Sequence, residues 1–215
     1  SFTWSKALDL ASNDGGGGLG NQASNPYNYN SDKGPADFDL ERRFTSSFLW
    51  DLPFFHGTKG WQRTVLGGWQ LNGILVLQSG LPFNVAAGTD RSLTGVNLDR
   101  ADVNGPAHTF NSSDRSAKIQ KFFDTSVFAL PALGTFGTSS RNFLFGPGIE
   151  NFDAAIFKRF ALAERKEFEL RWEVFNSWNR PNFLNPIAAF TNPLFGRLTS
   201  ARDPRIMQVA LKFYF

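Results

Sequence analysis

The chain has 215 residues with 22 basic against 19 acidic and no cysteine, which excludes disulfides, thiolate metal sites and thiol nucleophiles. No eighteen-residue apolar run exists, so a transmembrane helix is excluded, while membrane-crossing strands, which need none, are not. No run of five like charges offers the dense cationic face of a non-specific nucleic-acid binder.

Ser1-Phe2-Thr3-Trp4-Ser5-Lys6 has no basic region followed by an apolar core, so it does not read as a signal peptide. It reads as the middle of a strand, and the expectation is a chain cut from a longer one or relieved of a leader. Phe2 to Leu10 alternates weakly and is the first expected strand. The loop over 11–37 follows, with four consecutive glycines, Gly15 to Gly18, and too little apolar surface to fold alone. Phe38 to Pro53 is the second strand, with Leu40, Phe44, Phe48, Trp50 and Leu52 on one face and Glu41, Arg43, Thr45, Ser47 and Asp51 on the other. Arg42 interrupts the oily face near one end, where a long side chain reaches an interface. At about sixteen residues this strand would project beyond a bilayer. A short connection over 54–66 leads to a third strand, Gly67 to Val85, with Trp69, Leu71, Leu75 and Leu77 opposite Gln70, Asn72 and Gln78.

The loop over 86–147 is polar and turn-rich, with apolar knots at Phe122-Phe123, Val127-Phe128 and Leu130; a short hairpin of its own would suit it. Asn151 to Phe160 is the fourth strand, and 161–165 a tight turn. In the fifth strand, from Lys166 to about Asn179, Phe168, Leu170, Trp172 and Val174 oppose Glu169, Arg171 and Glu173. A loop over 180–203, with Pro181, Pro186 and Pro193, precedes the sixth, from about Arg205 to Phe215, where Met207, Val209, Leu211, Phe213 and Phe215 oppose Gln208, Ala210, Lys212 and Tyr214. Connections therefore alternate long and short. That is the pattern of antiparallel up-and-down strands with elaborate loops on one rim, and an even strand number puts the C-terminus on the short-turn, periplasmic side. The fold class expected is all-β.

Segments spread along nearly the whole chain carry a family resemblance. They include Phe2-Thr3-Trp4-Ser5-Lys6-Ala7-Leu8-Asp9, Asp37-Phe38-Asp39-Leu40-Glu41-Arg42-Arg43-Phe44, Asp51-Leu52-Pro53-Phe54, Gly67-Gly68-Trp69-Gln70-Leu71-Asn72-Gly73 and Gln78-Ser79-Gly80-Leu81-Pro82-Phe83. Further on come Arg141-Asn142-Phe143-Leu144-Phe145-Gly146-Pro147-Gly148, Glu173-Val174-Phe175-Asn176, Arg180-Pro181-Asn182-Phe183 and the run from Phe195 to Arg205. In order and spacing they resemble the C-terminal part of the barrel of a TonB-dependent outer-membrane receptor, of the type with a carboxypeptidase-regulatory-like N-terminal domain. The resemblance implies a large transmembrane barrel of about 22 strands with a plugged lumen, of which 1–215 would supply about six strands without the plug. It implies transport of a bulky nutrient without chemistry of its own and without a cofactor. The implied partners are outer-membrane lipid, the rest of the barrel and plug, the TonB complex through the missing N-terminal part, and the barrel-assembly machinery, for which Phe213 and Phe215 resemble the recognition signal.

Glu169, Arg171, Glu173 and Lys212 are candidates to face the lumen, as a substrate path or, the preferred reading, as a ladder of cross-strand ion pairs. Trp50, Trp69, Trp172 and Trp178 are read as interfacial girdle residues, the last three in preference to sugar-stacking platforms. Asp99, Asp102 and Asn104 before Gly105 lack the spacing of a calcium loop, Gly15 to Gly18 open no phosphate-binding helix, and His56 and His108 have no metal-ligand neighbours in sequence. No catalytic constellation stands out, so no enzyme is expected. Two rivals remain: a structural fragment that pairs through open strand edges with copies of itself into an oligomer or filament, at the cell surface, and a secreted glycan-binding β-sandwich.

Overall fold

The computed structural model describes residues 1–12, 23–55, 57, 60–110, 112–163 and 166–215. Six strands form one antiparallel sheet in which spatial order follows chain order: β1 (Phe2–Trp4), β2 (Arg42–Asp51), β3 (Trp69–Gln78), β4 (Ile149–Ala163), β5 (Lys166–Phe175) and β6 (Ile206–Tyr214). Alternate side chains fall on opposite faces of a strand, so the alternation read in the sequence becomes two chemically distinct faces of one sheet. The row Trp50, Leu71, Ile156, Trp172 and Val209 runs across one face from β2 to β6. The next row, Leu49, Asn72, Ala155, Glu173 and Gln208, runs across the other. Trp50 lies one residue from the short-connection end of β2, whereas Val209 lies near the long-loop end of β6. The register therefore steps from one rim to the other, the stagger that tilted barrel strands require.

The sheet is not where the described residues bury their apolar side chains. Every fully buried hydrophobic residue lies outside the six strands, while Trp50, Trp172, Val209 and Leu211 are 49 to 70% exposed on the apolar face. No second sheet covers that face among the described residues, as a β-sandwich would require.

Several strand ends differ from the sequence expectation, each for a local reason. The first strand stops at Trp4 and not Leu10. The buried Asp39 carboxylate accepts the Ala7 N–H at 2.8 Å and the Lys6 ammonium at 3.0 Å, turning the backbone out of the sheet. Leu8–Asp9 then pairs with Gly34–Pro35 instead. The second strand is ten residues, not sixteen, and so matches a bilayer without projecting from it. The third ends at Gln78; Pro82, which has no N–H to give a ladder, sits with Phe83 in a separate two-residue pairing with Leu144–Phe145. The fourth, by contrast, extends to fifteen residues with a register shift between Ala161 and Ala163; of the expected 161–165 turn, 164 and 165 lie outside the described residues. The short connection over 54–66 carries a six-residue helix, α1 (Trp61–Leu66).

The largest correction concerns the long loops, which form one packed layer. Phe123 is fully buried, with the rings of Phe83, Phe128 and Phe195 at 5.6, 5.8 and 5.2 Å. Val85, Ala101, Phe122, Leu144 and Leu198 complete this core. The 86–147 and 180–203 loops are bound together through backbone: Ala86 N–H donates to Ala188 at 2.9 Å, Phe190 N–H to Ala86 at 2.8 Å and Phe122 N–H to Gly196 at 2.8 Å. In place of the expected short hairpin, Asp102–Val103 pairs antiparallel with Phe128–Ala129 across a long connection that carries a second short helix, α2 (Arg115–Gln120), capped by the Asp114 carboxylate accepting the Ser116 N–H at 2.8 Å.

The described residues of the 11–37 loop, with Asp9 before it, dock onto the same layer through buried ions. Arg100 binds the Asp32 carboxylate and, at 2.9 Å, the Ser24 hydroxyl. Arg141 binds Asp9, and reaches Asp37 at 3.2 Å and Ser12 at 2.7 Å. Gly34 lies so close that a Cβ there would be 2.5 Å from the Arg141 carbonyl oxygen, so only glycine permits this approach.

Candidate functional site

Strand alternation puts Glu167, Glu169, Arg171 and Glu173 of β5 on one face, with Arg159 of β4 and Lys212 of β6 beside them. Glu169 is almost fully buried because two guanidiniums cover it: Arg159 Nε donates to it at 2.9 Å and Arg171 Nε to its other oxygen. Arg171 also lies 5.0 Å over the Phe157 ring. Lys212 is the register partner of Glu169, and Gln208 donates to Glu173. The four residues singled out in the sequence, Glu169, Arg171, Glu173 and Lys212, thus share a face. Three cations and three carboxylates balance there, an arrangement that fixes strand pairs.

The opposite face carries aromatic side chains at both ends and aliphatic ones between. Trp50 and Trp69, with Phe160, Phe168 and Phe213, stand toward the short-connection rim. Trp172 and Trp178 lie toward the other rim, Trp178 packed on Phe152 at 5.4 Å. Phe213 meets Phe168 at 4.8 Å and Phe215 at 5.8 Å. From Phe152 to Phe160 is eight residues, about 26 Å along a strand and about 20 Å along a barrel axis after the usual tilt. Sequence reasoning missed Lys158 on this face. It is buried, donates to the Gly67 carbonyl, and sits 5.6 and 5.1 Å from the Trp69 and Phe160 rings. Its position between Ile156 and Phe160 in the oily parity was the available signal.

In the loop layer, burial raises the Asp32 pKa, but the hydrogen bonds from Arg100 and Ser24 and the guanidinium charge outweigh it and hold the carboxyl below its ordinary value. Asp99 accepts the Arg91 and Ser92 N–H groups at 2.5 and 2.6 Å, and Asp102 the Thr138 N–H at 3.0 Å, so both shape loops. His108 packs edge-on against Phe110 at 5.0 Å. His56 and Gly15 to Gly18 lie outside the described residues.

A cleft of about 1090 Å³ opens where the loop layer meets the sheet. Phe2, Phe44 and Leu77, register neighbours on the apolar face, form its floor, and α2 lies along it.

One sheet with an uncovered apolar face, aromatic rows at both ends of that face, a polar opposite face and a loop layer at one rim together define a membrane-embedded antiparallel β-barrel protein. The model of the outer membrane beta barrel domain family matches residues 1–208, and the chain belongs to that family. It is a protein of the bacterial outer membrane. No curated protein matches the chain, and no solved structure matches it.

Proposed function

We propose that the chain is the C-terminal part of a TonB-dependent receptor barrel that takes up a bulky nutrient. The observation that carries this reading is the loop layer: the 86–147 and 180–203 loops share one phenylalanine core, and two buried arginine clusters fasten the first long loop and the segment before it to that core over one rim. A built layer of that size is suited to capture a ligand too large for an open pore. Among the described residues β1 and β6 leave both edges of the six-stranded sheet unpaired, in keeping with a place in a barrel of about 22 strands. The long loops then face outward and the short connections the periplasm. The balanced ladder around Glu169 lines the lumen. Trp50, Trp69, Trp172 and Trp178 form the two interfacial girdles, and Phe213 with Phe215 serves the assembly machinery. Energy reaches the barrel through a plug and the TonB complex.

The test is a growth screen of cells with and without the full-length protein on limiting metal chelates, vitamins and oligosaccharides, repeated after loss of the energy-transducing partner. Growth that needs both the protein and the partner is expected. Growth that needs the protein but is indifferent to the partner would reject energy-dependent uptake.

A further inference from the structure

The rim cleft sits on the apolar side of the sheet. Its floor residues Phe2, Phe44 and Leu77 are cross-strand neighbours, and Trp178 extends the floor by packing on Phe152 of the same face. Around this floor stand four cations, Arg42 from a strand end, Arg180 from the 180–203 loop and Arg115 and Lys118 from α2; among the described residues Glu150, the register neighbour of Leu77, is the one carboxylate that lines the cleft. Arg180 binds Glu150 at 2.5 Å, and Arg42 is 3.8 Å from Glu41, both exposed pairs. Among the described residues Arg115 and Lys118 have no acidic partner within ion-pair distance, and they overhang a greasy floor.

A soluble anion would leave that floor unused, and a neutral lipid would leave the cations unused. An amphiphile with phosphates on its head and acyl chains beneath uses both. The cleft lies at the long-loop rim, which in the reading above meets the outer leaflet. We infer that it binds the phosphorylated glycolipid of that leaflet, lipid A. Arg115 and Lys118 hold its phosphates, and its acyl chains run down the apolar face. A planar guanidinium grips a phosphate through two parallel N–H bonds, and an ammonium adds a point charge. The inference rests on the long loops facing outward and not on what the barrel transports.

The experiment uses the full-length protein, purified from the outer membrane and placed in nanodiscs, with bisphosphorylated lipid A, dephosphorylated lipid A and inorganic phosphate as probes. The double variant Arg115→Gln with Lys118→Gln should bind bisphosphorylated lipid A at least about tenfold more weakly, since each charge-assisted bond contributes of that order. Lys33→Gln, in the first long loop outside the cleft, should bind as the parent does. The unaltered protein should bind dephosphorylated lipid A at least about tenfold more weakly too, a comparison that holds even if the double variant folds poorly. Equal binding of the two lipid A forms would overturn the inference and leave only greasy contact. Displacement of lipid A by millimolar inorganic phosphate would overturn it in favour of a soluble-anion site. Failure of the unaltered protein to bind bisphosphorylated lipid A, with nutrient uptake intact, would reject this inference and spare the transport reading.

Discussion

At the scale of residues, charge is used to fasten chain segments. Arg100, Arg141 and Glu169 are each buried, and each is held by partners distant in sequence or by cross-strand neighbours. Asp32 is the group whose titration exposes this. Its carboxylate is the form that Arg100 and Ser24 bind, and its folded pKa is lowered. Its contribution to docking is therefore whole above the ordinary value of about 3.9, and is lost as pH falls through the lowered one. Hydrogen-exchange protection factors over residues 24–33 should hold from pH 7 down to about pH 4 and fall below it. Asp32→Asn should remove the transition and leave the segment open throughout. Opening already at pH 6 would show that something else holds it. Little of this was legible beforehand: Asp32 and Arg100 are 68 residues apart, and no periodicity links them. The ladder on β5 was legible, because Glu169, Arg171 and Glu173 recur every second residue beside an oily set.

At the scale of elements, the strands and the loops follow different rules. Alternation at period two revealed all six strands, because a sheet with one oily and one polar face writes its register into the sequence. It overran the ends of the first three, where Asp39 and Pro82 decide the path and no period exists to read, and fell short of the fourth. The loop layer left only knots such as Phe122-Phe123 and Val127-Phe128, whose partners Phe83, Phe195 and Leu198 come from far along the chain. The 24 phenylalanines are unexplained by the strands alone: eight of them, Phe123 among them, lie in or against this core, and others such as Phe44, Phe152 and Phe168 lie on the apolar face. Phe123→Ala should therefore cost the layer about 3–5 kcal/mol, the usual loss for a buried phenylalanine. Limited proteolysis of the full-length protein in membranes should show faster cleavage within 86–147 and 180–203, while the barrel keeps its heat-dependent shift in gel mobility. Loss of that shift would mean that loop layer and sheet form one cooperative unit.

At the scale of the whole molecule, what distinguishes a barrel wall from a soluble sheet is which face meets solvent. The row Trp50, Leu71, Ile156, Trp172 and Val209 is exposed or half-buried although apolar, and the neighbouring row through Glu173 and Gln208 is polar. In water the first row would drive collapse or association; in a bilayer it is the lipid belt. Adjacent residues of β6 test this with minimal change of site. Val209→Arg puts a guanidinium in hydrocarbon and should cost about 2–4 kcal/mol if it lies near the bilayer midplane, and less toward the interface. Gln208→Arg faces the other way and meets Glu173, the present partner of Gln208, so it should be close to neutral. Denaturant midpoints for refolding of the two full-length variants into vesicles give the comparison directly. Equal midpoints would remove the distinction between the faces, and a larger loss for Gln208→Arg would reverse it, turning the apolar row inward and the ion ladder toward lipid. The same substitution on two consecutive residues leaves strand propensity and added charge nearly constant, so the difference between them reports the medium that each face meets.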